Sequence, residues 1–352
     1  MRHATAFQAS LAALVAMTFA FAASAEEVDK KLVPQIDGPW WTIAGDPDLG
    51  DLTSPNQQPV DFAIWQAADG SYQLWSCIRN TKCGGNTRLF YRWESKHLTD
   101  SNWKPKGIAM QADPNFGETP GGLQAPHVVR VGDLYHMLYG DWVNICLATS
   151  GDGKNFTRQL SDKGLAGMFS EGSAANTRDP MVIRIGNLWH CYYTAYPGRK
   201  GALFCRTSRD LRNWSKSKVV AFGGQAGTNP YSAECPHVVH HAGYYYLFRT
   251  QRYGREAQTS VYRSKDPMDF GVEDDKYFVG TLPVAAPEIL LHKDRYYIAS
   301  LFPSLKGIRI ARLKWAPEQE VGEESESVAC ARTVRANDQS AAEGGDPTCR
   351  SP

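Results

Sequence analysis

Beyond residue 25 the sequence has no apolar run long enough to cross a bilayer, which excludes a helical span from the body of the chain. It has almost no net charge, +1 over 352 residues, so no broad field recruits nucleic acid or an anionic membrane. No CxxC pair and no Cys/His cluster has the spacing of a zinc site. Gly223, Gly224 and Gly227 do not sit in a strand–glycine–helix pattern that would cradle phosphate. A serine nucleophile elbow is missing too, and no stretch has the period of a long amphipathic helix. What remains is ordinary for a globular chain, with 42% hydrophobic and 21% charged residues. The aromatic content is distinctive in kind, with 10 Trp and 16 Tyr. Such rings fill sheet interiors and also stack on flat polar ligands, and composition alone does not separate the two uses.

Residues 1–25 read as an export signal. Arg2 and His3 give a basic start, LAALVAMTFAFA an apolar stretch too short to span, and Ala23-Ser24-Ala25 a small-x-small cleavage site. The expected location is therefore secreted or periplasmic, with no membrane association after cleavage. Eight cysteines in an exported chain permit disulfides. Cys77 and Cys83 flank one loop, Cys191 and Cys205 flank the turn YPGRKG, and Cys330 and Cys349 share the tail. Cys146 and Cys235 are expected to be buried as small apolar residues.

One unit recurs five times. It begins VDFAIWQAADGSYQLWSCI, then APHVVRVGDLYHMLYGDW, RDPMVIRIGNLWHCYYTAY, ECPHVVHHAGYYYLFRTQR and APEILLHKDRYYIASLF. Each has two alternating β-rich runs around a Gly or Asp turn, then a third run ending in polar residues. The anchors Asp61, Ala125, Asp179, Cys235 and Ala286 are spaced by about 50–65 residues, a period that signals propellers or arrays. The expected fold is all-β, a five-bladed β-propeller over residues 26–316, followed by a loose polar tail over 317–352. Unit five stops at Trp315 after three strands, and the segment near Trp40 is expected to supply its outer strand. A monomer is expected.

In a propeller the innermost strands line the axis, so their first residues gather at one mouth. Asp61 and Asp179 hold that position in units one and three, and Glu234 lies one residue before it in unit four. Crowded carboxylates repel, and one of them should keep its proton toward neutral pH. A protonated acid beside a charged one is the equipment for splitting a glycosidic bond. Here Arg178-Asp179-Pro180 and Glu234-Cys235-Pro236 resemble the RDP and EC motifs of the five-bladed fructosidases of glycoside hydrolase family 32. The order Asp, Asp, Glu is similar to that of the arabinanase and β-xylosidase enzymes of family 43. The resemblance covers residues 36–315. It implies an exported glycosidase acting on a furanoside or related oligo- or polysaccharide. Glu234 would be the general acid or acid/base, Asp179 would stabilise the transition state or tune the acid's pKa, held by Arg178, and Asp61 would be the nucleophile in a retaining enzyme or the general base in an inverting one. Asp61 lies in Gln57-Gln58-Pro59-Val60-Asp61-Phe62, whereas the fructosidases open blade one with a WMNDPNG-like motif.

Further candidates to contact sugar are Asp141, Trp142, Arg249, Gln251 and Arg252, with Trp40 and Trp41 as rings near the start. Glu288 is either a fourth pocket acid or structural. His127 and His237 each follow an anchor proline and are candidates to line the axis. The resemblance allows a structural calcium or water there, but two histidines are weak metal ligands for calcium, which prefers oxygen. No cofactor is expected. Two rivals keep the fold and change the function: a phosphorylase, drawing on Arg178, Arg249 and Arg252 for phosphate, and a sugar-binding propeller without catalysis.

Overall fold

The computed structural model describes residues 31–318. The expected export signal, most of the tail and both Cys330 and Cys349 lie outside the described residues. The chain divides into two compact units, one spanning 34–314 and the other made of the flanking residues. In the described part of the flanking unit, Lys31 Nζ meets Glu318 Oε1 at 2.7 Å and Glu318 N donates to Lys31 O at 2.9 Å.

The larger unit is five antiparallel sheets, with helix confined to three-residue 3₁₀ turns. The chain enters through β1 (Leu32–Gly45). Blade one is β2 (Gln58–Gln66), β3 (Tyr72–Arg79), β4 (Leu89–Ser95) and β5 (Lys104–Met110). Blade two is β6 (Gln124–Val131), β7 (Leu134–Gly140) and β8 (Ile145–Ser150), with its outer edge split between β9 (Thr157–Arg158) and β10 (Gly167–Phe169). Blade three is β11 (Arg178–Ile185), β12 (Leu188–Ala195), β13 (Ala202–Ser208) and β14 (Lys218–Phe222). Blade four is β15 (Glu234–His241), β16 (Tyr244–Arg252), β17 (Gln258–Ser264) and β18 (Phe278–Leu282). Blade five is β19 (Glu288–His292), β20 (Arg295–Leu301) and β21 (Gly307–Pro317), completed by β1 on its outer side. The ring thus closes through the Trp40 segment, as expected. The first strand of each blade touches the first strands of its neighbours in cyclic order, β2, β6, β11, β15, β19 and back to β2.

The hairpins at the inner edge follow from turn chemistry. His241 pairs with Tyr244 and His292 with Arg295, leaving two-residue turns at Ala242-Gly243 and Lys293-Asp294. All four turn residues have positive φ, the geometry whose twist matches two antiparallel strands. The aromatic strands mostly fill the sheets: Trp75, Tyr135, Tyr139, Tyr192, Tyr193, Tyr246 and Tyr262 are fully buried, each contributing about 1.5–3 kcal/mol of burial. Trp41 packs edge-on against Tyr297, and Arg309 lies over Trp40 at 4.2 Å, so both rings serve blade five rather than a binding face.

None of the permitted pairings forms among the described residues. All six described cysteines are free. Cys191 opposes Arg206 and Cys205 opposes Tyr192, so the two thiols are diagonal in the ladder and pack into different core clusters. Cys77 Sγ donates to Leu123 O and Cys83 Sγ to Arg88 O instead of to each other.

Candidate active site

The five anchors share one backbone feature. Asp61, Ala125, Asp179, Cys235 and Ala286 have φ of 35°, 40°, 56°, 46° and 48°. The left-handed region costs a non-glycine residue about 1–2 kcal/mol, so a five-fold repeat of it is imposed by the surroundings. In the first four blades the inner ladder skips register there. In blades two to five the next residue is proline, which has no N–H to give to the ladder. The anchor is therefore squeezed out of the strand as a bulge. All five anchors line one cavity of about 20 Å³, room for about one water, together with Pro126, Pro180, Pro236 and Glu288.

Arg178 and Glu234 occupy equivalent positions, one before the anchor, in neighbouring blades. Arg178 Nη2 donates to Glu234 Oε1 at 2.7 Å, and Nε lies 3.6 Å from Asp179 Oδ2. The guanidinium is only 3% exposed and also donates to Asn176 O and Pro230 O. Cys235 N donates to Asp179 Oδ2 at 3.1 Å. Asp179 Oδ1 is buried without a partner among the described residues. Asp61 Oδ1 accepts from Cys235 Sγ at 3.1 Å and from Tyr253 Oη at 3.2 Å, and those two donors lie 3.1 Å apart. No donor among the described residues reaches Asp61 Oδ2, which leaves that oxygen open to a reacting atom.

Burial raises Asp179 to about 7, opposed by Arg178 and reinforced by Asp61 and Glu234. Glu234 is raised by the same burial, opposed by Arg178 and reinforced by Asp61. Arg88 adds a second cation beside the cluster and also lowers Glu234. Three acids facing two guanidiniums retain a proton near neutrality. Burial pushes Cys235 and Tyr253 well above their ordinary ranges, so both stay neutral donors. Oxygens of Asp61 and Asp179 and the sulfur of Cys235 lie within 4.8 Å of one another. Their chemistry does not suit a cation: the sulfur is a protonated donor and Arg178 already supplies positive charge.

The remaining candidates divide. Glu288 lines the cavity. His127 and His237 stand two residues beyond their anchors, one layer deeper on the axis. His127 Nε2 donates to Val182 O at 3.1 Å, while His237 Nε2 accepts from Ile289 N and its Nδ1 lies 3.5 Å from Glu288 Oε2. Neither lines the cavity: His127 is held by the Val182 carbonyl, while His237 Nδ1 is buried without a hydrogen-bond partner among the described residues. Asp141 is also corrected: it is buried, and Oδ1 caps its own turn by accepting from Val143 N and Asn144 N. Trp142 sits under Arg88, whose guanidinium is 5.1 Å from the ring, beside the acids. Arg249 is corrected from sugar contact to buried strut: its guanidinium donates to the carbonyls of Ser232, Gly223 and Gly227 and does not line the anchor cavity. Gln251 accepts from Ser260 Oγ and lines a separate groove.

Four groups near the acids were not anticipated: Cys235 as a pocket thiol, Tyr253, Arg88, and Tyr196, whose ring lies 5.2 Å from the Arg178 guanidinium.

This architecture is shared with solved glycoside hydrolases. A thermostable family-43 glycoside hydrolase superposes with a TM-score of 0.55 at 16% identity, covering 75% of this chain and 90% of that one. A family 32 β-fructofuranosidase of Bombyx mori gives 0.53 at 18% identity, covering 82% and 63%. An endo-arabinase of Bacteroides thetaiotaomicron gives 0.54 at 14% identity, covering 74% and 94%. A family model described as the glycosyl hydrolases family 32 N-terminal domain matches residues 67–289, more than half of the chain, and the chain belongs to that family. A probable sucrose-6-phosphate hydrolase of Psychromonas ingrahamii is 28% identical over 209 residues, which are 56% of this chain and 35% of the relative. The chain thus spans about a third of that relative's length.

Proposed function

We propose that the protein is an exported glycoside hydrolase that cleaves furanosides, fructosides first among them. The observation that carries this reading is the Arg178 clamp between Asp179 and Glu234, with Asp61 close by, all set by left-handed anchors at one mouth. Glu234 gives its proton to the glycosidic oxygen as the bond to the anomeric carbon breaks. Asp61 Oδ2 faces the other reactant. It attacks the anomeric carbon if configuration is retained, or takes a proton from the attacking water if it is inverted. Tyr253 and Cys235 hold Asp61 in one orientation through its other oxygen. Asp179 offers its unpartnered Oδ1 to a sugar hydroxyl, and its carboxyl, beside Arg178, helps the site keep the proton that Glu234 delivers. Relatives described as a β-fructofuranosidase, a sucrose-6-phosphate hydrolase and an endo-arabinase support the substrate class.

The phosphorylase reading loses its cations. Of the three arginines that reading drew on, Arg178 is held by acids and carbonyls and Arg249 by three carbonyls, which leaves Arg252, while Arg88 is engaged with Trp142 and the acids. The test is a panel of sucrose, fructans, arabinan, xylo-oligosaccharides and their aryl glycosides, with and without inorganic phosphate. Release of free sugar independent of phosphate is expected. A sugar phosphate released only with phosphate, or binding without turnover, contradicts the proposal.

A further inference from the structure

Beside the carboxylates, at the same end of the ring, lies a groove of about 430 Å³, within the size range of sites that enclose small ligands. One wall is the loop before Glu234, with Gln225, Asn229 and Tyr231, and the other is the end of β16 and start of β17, with Gln251, Arg252 and Gln258. We propose that this groove is the leaving-group subsite, built for a neutral oligosaccharide of two or more sugar units beyond the scissile bond. The proposal rests on the hydrolase reading above and deepens it.

The side is fixed by chemistry. The acid protonates the oxygen of the departing sugar, so the departing sugar lies on the Glu234 side. The groove is made from the residues just before Glu234 and from those following Thr250, its partner in the ladder. A ring-to-ring path joins the two places. The Arg178 guanidinium lies 5.2 Å from the Tyr196 ring, and that ring lies 6.3 Å from the Tyr231 ring. Tyr231 is 61% exposed, a large ring presented to solvent where half of the tyrosines are buried and the other seven are partly covered.

The wall is pre-formed. Arg249, fully buried, ties Gly223, Gly227 and Ser232 from below. Pro230 O accepts from Arg178, and Asn229 caps its own turn by accepting from Tyr231 N. Gly224 has φ of 62°, and a Cβ there would collide with the Asp275 carboxylate, which itself accepts from Gln225 N. A loop fixed this way binds without an ordering cost. Its lining is amides, one exposed aromatic ring and one arginine with no ion pair among the described residues. That inventory suits hydroxyls and a sugar face, and one cation is too few for a polyanion.

The test is a chain-length series: an aryl glycoside, then di-, tri- and tetrasaccharides cleaved at the same bond. Wild-type kcat/KM is expected to rise with the length of the leaving group. In Tyr231→Ala and Arg252→Ala the loss on the tetrasaccharide should exceed the loss on the aryl glycoside by about tenfold, because remote binding energy is recovered in the transition state. Raising salt should not abolish the wild-type rise. Equal losses on long and short substrates, or a wild type indifferent to length, overturns the subsite while leaving the hydrolase reading intact. No turnover of any member of the series overturns both.

Discussion

Glu234→Gln is expected to lower kcat/KM toward unactivated oligosaccharides by about 10²–10⁴-fold, the usual contribution of a positioned acid. Gln keeps a carbonyl oxygen for Arg178 Nη2, so the clamp and the fold should survive, and the melting temperature should stay within a few degrees. The loss should be unequal across substrates. An aryl glycoside carries a leaving group that departs without full protonation, so its rate should fall much less than that of an oligosaccharide. Steady-state kinetics on both substrates checks this. A uniform loss would mean that Glu234 binds sugar rather than donating a proton.

Asp179→Asn should separate activity from stability in opposite directions. Asp179 titrates at about 7 when folded against an ordinary value of 3.8. Between about pH 4 and 7 the unfolded chain has released this proton and the folded chain still holds it. A folded state that binds more protons loses stability as pH rises, so the penalty grows through that window and is complete above it. Asn carries no such penalty. Asp179→Asn should therefore be more stable than wild type at pH 7.5 by on the order of a few kcal/mol, with the gap closing toward pH 4. Its activity should fall, because the amide holds Arg178 and the sugar hydroxyl differently. Denaturant unfolding at several pH values reads the difference directly. A variant less stable than wild type at pH 7.5 would show that Asp179 is not kept neutral by its burial.

The repeat made much of this legible. Asp-Pro and Cys-Pro at fixed steps placed the acids at one mouth, because a propeller turns sequence period into rotation about an axis. The backbone device that does so was not legible. Left-handed φ is expected of glycine, and here Asp, Ala and Cys adopt it at all five anchors. Polar residues misled where local chemistry competes with ligand. Asp141 is two and three residues from the N–H groups it caps, and Arg249 is consumed by three carbonyls of one loop. Neither commitment is visible without coordinates. The cysteine pairs failed for a simpler reason. Cys191 and Cys205 flank one turn, but a slip of one ladder position sends their side chains to opposite faces.

The most direct test is a crystal structure of Glu234→Gln soaked with an oligosaccharide that the wild type cleaves. The glycosidic oxygen is expected within hydrogen-bond reach of the amide that replaces the Glu234 carboxyl, the anomeric carbon facing Asp61, and a ring hydroxyl on Asp179 Oδ1. A sugar bound elsewhere on the ring, with the three side chains still closed on one another, would contradict the account.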